Sequence, residues 1–298
     1  MPEHGVLLTP NEQLMSSREM LEIAEIFVNL GVKKIRVTGG EPLVRKDSKD
    51  ILLGLSKLPV ELTLTTNALL VNNFIDTFQN AGIKSLNVSL DTLREGRFHA
   101  ITKRNFFNKT LENIQLLIDE GFHVKVNSVL MKGINDDEIC DFINWTKDKP
   151  VHVRFIEFMP FDGNSWDWNK IIPLKEILDR IKEKFNIIKL LDSQNSTAKA
   201  YQVTGFKGTF AVISSMTNHF CGSCNRLRLT ANGKMKNCLF SNNEYDLLTP
   251  FRKGENITEL ITNCLSDKKK KHGGIEKLEE LNQENSMYSK RSMIQIGG

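Results

Sequence analysis

Residues 72–91 read N-N-F-I-D-T-F-Q-N-A-G-I-K-S-L-N-V-S-L-D, and this stretch decides the fold class. A helical pattern over Asn72 to Ala81 closes at Gly82, a residue that ends helices without steric cost. Ser85 to Leu90 is then rich in strand formers. The same unit recurs on both sides. Upstream, an S-x-x-E capping box at Ser16 and Glu19 opens an apolar-periodic run, Met20 to Leu30, that stops at Gly31. The run Lys34 to Thr38, the turn Gly39-Gly40-Glu41-Pro42, a helix over Ser48 to Leu58 and a strand over Glu61 to Thr66 follow. Downstream, a helix over Lys109 to Glu120 ends at Gly121 and leads to the strand His123 to Met131. Asp136 to Lys147 is again helical and Val151 to Glu157 extended.

Strands alternating with helices of about 10–15 residues predict βα units and a parallel sheet. No dinucleotide fingerprint follows the first strand, which favours an α/β partial (incomplete) TIM-type βα barrel over a Rossmann sheet. The chemistry of such a fold sits on the loops after the strands. The unusual residues do lie there: Gly39 to Pro42, Thr65-Thr66-Asn67, Ser89-Leu90-Asp91 and Met159-Pro160.

After Pro160 the pattern changes. A Trp-bearing loop (Asp162 to Trp168) and one helix (Leu174 to Phe185) precede short strands at Ile187 to Leu191, Ala198 to Val203, Phe210 to Ser214 and Arg226 to Thr230. Gly233 sits in a tight turn. This predicts a smaller, antiparallel C-terminal region, with domains at residues 1–164 and 165–298.

Composition narrows the class. The 298 residues carry 40 Lys+Arg against 36 Asp+Glu, and 40% are hydrophobic, which supports a packed core and disfavours global disorder. The net charge of +4 is too small to imply nucleic acid and suits a small polyanion. No apolar run approaches the roughly 18 residues of a membrane span. Met1 to Met15 lacks the pattern of a signal peptide, so the chain reads as cytoplasmic, with no membrane partner. An odd count of 5 cysteines is no disulfide framework. Cys140 and Cys264 stand among apolar residues and read as core; Lys268 to Lys271 reads as a solvated run.

Cys221-Gly-Ser-Cys224, with Cys238 after thirteen further residues, is the sharpest signal. Thiolates two residues apart reach one metal centre from a tight turn, and a third arrives from a hairpin arm. Two readings stay open on spacing: structural zinc completed by His219, or an iron–sulfur cluster with one open iron. Arg226 and Arg228 alternate just beyond Cys224 and so share a strand face. Paired guanidiniums suit a phosphate, although an isolated R-x-R is ordinarily a solvated face. In Gly39-Gly40-Glu41-Pro42 the glycines admit a ligand to the backbone, and Glu41 offers a carboxylate to a ligand ammonium. Arg36, Lys125 and Arg154 place cations in three strands of one assembly, which is costly unless they line an anion site.

These residues resemble the molybdenum cofactor biosynthesis protein A family, the radical SAM GTP 3′,8-cyclases. The resemblance runs in order through K-K-I-R-V-T-G-G-E-P-L-V-R (Lys33 to Arg45), L-T-T-N (Leu64 to Asn67), N-V-S-L-D (Asn87 to Asp91) and K-V-N (Lys125 to Asn127). It continues in R-F-I-E-F-M (Arg154 to Met159), F-C-G-S-C-N-R-L-R-L-T (Phe220 to Thr230) and the tail Gly297-Gly298. Ala68 departs from the family's usual Gly.

The resemblance implies contacts to GTP from Arg36, Thr65, Lys125, Arg226, Leu227 and Arg228, with Lys34 and Arg154 in the same lining. It implies contacts to S-adenosylmethionine from Gly40, Ser89 and Met159. Cys221, Cys224 and Cys238 resemble the ligands of an auxiliary [4Fe–4S] cluster whose open iron holds guanine, which reverses the balance between zinc and iron. The implied chemistry is conversion of GTP to 3′,8-cyclo-7,8-dihydroguanosine triphosphate through a 5′-deoxyadenosyl radical, with no side-chain base in the hydrogen abstraction. It needs an electron donor, allows a homodimer and passes its product to the next enzyme of molybdopterin synthesis. The family's N-terminal C-x-x-x-C-x-x-C, which holds a second [4Fe–4S] cluster, is followed directly by M-P-E, where this chain starts. The expectation is a chain cut after that motif, binding one cluster at most, with impaired cyclase activity. The alternative is a zinc-stabilised, non-catalytic nucleotide-binding protein.

Overall fold

Residues 9–161, 164 and 166–274 are described in this computed structural model; Met1-Pro2-Glu3 and Gly297-Gly298 lie outside the described residues. The first helix, α1 (Ser17–Asn29), carries the expected capping box. The Glu19 N–H donates to the Ser16 hydroxyl at 3.2 Å, and the Ser16 N–H donates to the Glu19 carboxylate at 2.7 Å. Then come β1 (Lys34–Val37), α2 (Ser48–Leu55), β2 (Glu61–Thr66), α3 (Ile75–Asn80), β3 (Ser85–Ser89), α4 (Glu95–Thr102) and α5 (Phe107–Asp119). β4 (His123–Leu130), α6 (Ile139–Trp145), β5 (His152–Glu157) and α7 (Leu174–Lys182) continue the alternation. Helix α4 was not legible in the sequence, because it buries only Phe98 and has no wide apolar stripe.

The remaining elements are β6 (Ile187–Lys189), β7 (Lys199–Val203), β8 (Thr209–Ile213), β9 (Arg228–Leu229), β10 (Lys234–Lys236), β11 (Tyr245–Asp246), α8 (Leu248–Arg252) and α9 (Thr258–Ser266). The main sheet has the order β1-β2-β3-β4-β5-β8-β7-β6, parallel from β1 through β8 and antiparallel at β7 and β6. β6 to β8 therefore extend the first sheet instead of building a separate region. Phe210, Ala211 and Val212 of β8 are fully buried, as a strand covered on both faces requires. The separate antiparallel sheet holds β9 to β11, and the expected strand Arg226 to Thr230 shrinks to Arg228–Leu229.

Alternation in the parallel strands sorts their side chains onto two faces. Leu62, Leu64, Leu86, Val88, Val124, Val126, Val153 and Phe155 share one face and pack under the helices, against Ile51, Leu52, Phe78, Ile114, Leu117, Phe142 and Ile181. The opposite face is polar. A second core joins Ile23 and Phe27 of α1 to Met235 of β10 and to Ile261 and Cys264 of α9. A third, smaller one gathers Phe161, Ile171, Met216 and Phe240. Among the described residues no helix is long and apolar enough to cross a membrane.

Candidate functional site

Register aligns the polar face in rows. Arg36 sits opposite Thr63, and Ser85 opposite His123. One row on, Thr65, Asn87, Lys125 and His152 stand side by side from β2 to β5. The next row holds Ser89, Asn127 and Arg154. Rows on one face lie about 6.7 Å apart along a strand, so Arg36, Lys125 and Arg154 step across one surface. Tertiary pairing thus unites the three strand cations singled out in the sequence.

Their charges are felt mutually. Burial lowers the Lys125 pKa to about 8, helped by Arg154, Lys34 and Arg36. Burial and then Arg36 and Arg226 lower Arg154; burial and then Arg226 lower Arg36. Arg36 is nonetheless open to solvent. Burial also lowers Arg226 and Arg228, the latter further through Arg226, while the thiols of Cys238 and Cys224 oppose the shift at Arg228. Guanidiniums stay charged at working pH, so these directions record positive charge held short of counter-ions. Lys34 has a partner, Glu61 at 2.6 Å.

Hydrogen bonds organise this lining. Arg154 donates through Nη2 to the Asn87 amide oxygen, and Asn87 donates onward to the Thr65 hydroxyl at 3.2 Å. The Thr63 hydroxyl, the Asn127 amide oxygen and the Arg154 Nε are buried without a protein partner. Buried polar atoms are nearly always paired, so three orphans on one cationic face mark where a polar ligand fits. His152, bonded to the Thr209 hydroxyl at 2.6 Å, is lowered by burial and then by Arg154 to about 3 and stays neutral.

The segment that leads from β8 to the cysteine turn is held by Glu157. That carboxylate accepts from the Met216 N–H at 2.7 Å, the Thr217 N–H at 3.0 Å and the Thr217 hydroxyl. The turn itself is a single 3-10 turn over Cys221–Ser223, and Cys221, Cys224 and Cys238 are each half-buried. Cys221 feels both other thiols; burial raises its pKa against a bond from the His272 N–H at 3.5 Å. At Cys224 burial raises the pKa, but the Arg226 N–H and the charges of Lys268 and Arg226 prevail and lower it. Three soft sulfur donors amid cations fit a thiolate-ligated iron–sulfur group in kind. Among the described residues no three His, Cys, Asp or Glu side chains stand arranged around a single ion. His219 faces His272, with ring centroids 5.1 Å apart.

Ser89 is exposed at the end of β3, and Gly40 is exposed in the loop after β1. Met159 packs on the third core, as Cys238 does. Leu227 packs its side chain on the second core, so a nucleotide could meet only its backbone. Glu41 departs from the expectation of a free carboxylate for a ligand ammonium. It accepts from the Leu43 N–H at 3.1 Å, the Thr66 hydroxyl at 2.8 Å and the Asn67 N–H at 2.7 Å, pinning the loop after β1 to the end of β2. Lys268 departs too. It is no solvated lysine but donates to Cys224 Sγ at 3.6 Å and to the Arg226 carbonyl at 3.0 Å. Asn87, Asn127 and Lys268 escaped the sequence reading as individual site residues; the polar alternation of β3 and β4 held a signal for the first two, and nothing local held one for Lys268.

Residues 4–146 match the Radical SAM superfamily, and residues 151–274 match Molybdenum Cofactor Synthesis C. The chain is 44% identical over 305 residues to the mitochondrial GTP 3′,8-cyclase of Arabidopsis thaliana, covering 100% of this chain and 76% of that protein. It is 39% identical to GTP 3′,8-cyclase of Listeria monocytogenes, covering 100% of this chain and 91% of that one. Against molybdenum cofactor biosynthesis protein 1 of Drosophila melanogaster the identity is 45% over 91% of this chain, which spans about half (49%) of that relative's length. The polar sheet face and the cysteine turn therefore belong to a member of the GTP 3′,8-cyclase family of radical SAM enzymes.

Proposed function

We propose that the chain binds GTP and S-adenosylmethionine and cyclises the nucleotide, joining ribose C3′ to guanine C8 in molybdenum cofactor synthesis. The observation that carries this reading is the mutually repelling set Arg36, Lys125, Arg154, Arg226 and Arg228, which runs from the sheet face to the thiols. A triphosphate supplies the missing negative charge, and bidentate guanidiniums orient it. Thr65 and the Leu227 backbone complete the nucleotide contacts. Gly40, Ser89 and Met159, at the ends of β1, β3 and β5, would hold S-adenosylmethionine on the loop side of a partial βα barrel. Cys221, Cys224 and Cys238 would hold a [4Fe–4S] cluster. When bound, the cofactors supply the radical chemistry. The residues of this chain orient the two reactants, neutralise the phosphates and exclude water. On this reading an external donor supplies the electron.

Support for the cysteine assignment is chemical: three half-buried thiols, with Cys221 feeling both others, flanked by Lys268, Arg226 and Arg228. The test is anaerobic purification and reconstitution, followed by iron and sulfide analysis and calorimetry with GTP and ATP. Iron and sulfide in equal amounts, lost when the three cysteines become serine, together with preference for GTP, support the reading. Retained zinc without sulfide, or equal affinity for the two purines, overturns it.

A further inference from the structure

Of the four lysines from 268 to 271, Lys268 is half-buried and the other three are exposed. Its position is built from behind. Ile261 and Cys264 seat α9 in the second core, Asn237 donates to the Cys264 carbonyl at 2.7 Å, and Tyr245 donates to Asp267. The chain leaves α9 with the Lys268 N–H on the Leu265 carbonyl at 3.1 Å, and the side chain runs to the cysteine turn. There one ammonium meets Cys224 Sγ at 3.6 Å and the Arg226 carbonyl at 3.0 Å, spanning the single residue Asn225. Arg226 in turn donates to the Thr197 hydroxyl at 2.8 Å, with its guanidinium 5.4 Å from the Phe220 ring centre.

We propose that Lys268 is a positioning residue that clasps the cysteine turn to Arg226. It sets the redox balance of the group bound by the thiols and, through the same ammonium, the placement of a nucleotide-binding guanidinium. This rests on the assignment of Cys221, Cys224 and Cys238 as cluster ligands. A positive donor on a ligating sulfur stabilises the reduced, more negative cluster, and such outer-shell bonds tune both potential and ligand orientation. The bond to the Arg226 carbonyl holds the backbone from which that guanidinium projects.

The test compares Lys268→Met, Lys268→Arg and Lys270→Met in the full chain, by iron content, spectroscopic redox titration and GTP calorimetry. In Lys268→Met the one-electron equilibrium shifts about tenfold toward the oxidised form, about 59 mV. The GTP dissociation constant rises about threefold to tenfold, on the scale of one lost hydrogen bond. Lys268→Arg recovers most of both, and Lys270→Met moves neither. A fully loaded Lys268→Met that matches the unmodified chain in midpoint and affinity overturns the proposal, as does an equal effect of Lys270→Met. If the unmodified chain takes up no iron, the ligand assignment fails first. The clasp is then judged on the iron-free chain: weaker GTP binding by Lys268→Met supports it, and equal binding overturns it.

Discussion

Asn87 on β3 receives the guanidinium of Arg154 on β5 across the intervening strand, although its own register partner is Lys125. The bond bends Arg154 back one row and holds its charge over the middle of the polar face. Asn87→Ala leaves a buried guanidinium without that acceptor. The expected loss is about 1–3 kcal/mol of stability and about tenfold in GTP affinity. Urea denaturation and calorimetry check both, and an alanine variant equal to the parent in each would remove Asn87 from the lining.

Lys125 makes nucleotide binding depend on pH. With its pKa near 8 it is partly neutral at mildly alkaline pH, and a bound phosphate restores the proton. Affinity for GTP is expected to level off below pH 8 and fall above it. Calorimetry in buffers of different ionisation enthalpy should show proton uptake near pH 8, absent in Lys125→Met. The unfolded chain holds this proton up to the ordinary lysine value of 10.5, so the folded state binds fewer protons between 8 and 10.5. The lysine's share of stability therefore rises with pH across that window.

Arg228 sets stability against binding. Its guanidinium is desolvated and faces Arg226 and Arg36. Arg228→Leu is expected to raise the melting temperature of the ligand-free chain by about 2 °C while weakening GTP about tenfold or more. Arg228→Lys keeps the charge but loses the two-pronged geometry, and falls between the two in affinity. A scanning melt with and without GTP reads both effects, and a leucine variant that melts lower refutes the repulsion argument.

Gly233 closes the hairpin that leads to Cys238. Its φ of +69° is left-handed, and an added Cβ would lie 2.4 Å from the Leu248 Cβ. Gly233→Ala combines backbone strain of about 1 kcal/mol with that clash, so a loss of more than about 2 kcal/mol is expected. Iron retention should fall with it, because Cys238 hangs from the same arm. Unchanged urea midpoints and full iron content in the variant would contradict this.

Local chemistry in the sequence sufficed for the elements that repeat. The capping box at Ser16, the helix-ending glycines at 31, 82 and 121 and the period-two alternation of residues 123–130 state their own conformations. Arg36, Lys125 and Arg154 betrayed themselves as cations where a strand disfavours charge. Tertiary structure decided which strands pair. β8 enters the main sheet beside β5 although residues 158–208 separate them, and there both of its apolar faces are covered. It also decided which carboxylates and lysines are engaged. Glu41 is consumed by the end of β2, and Lys268 reaches Cys224 from just beyond a helix packed on the second core. A turn or a helix end depends on neighbours in sequence, whereas the partner of a long charged side chain depends on how whole elements dock, which no local pattern encodes.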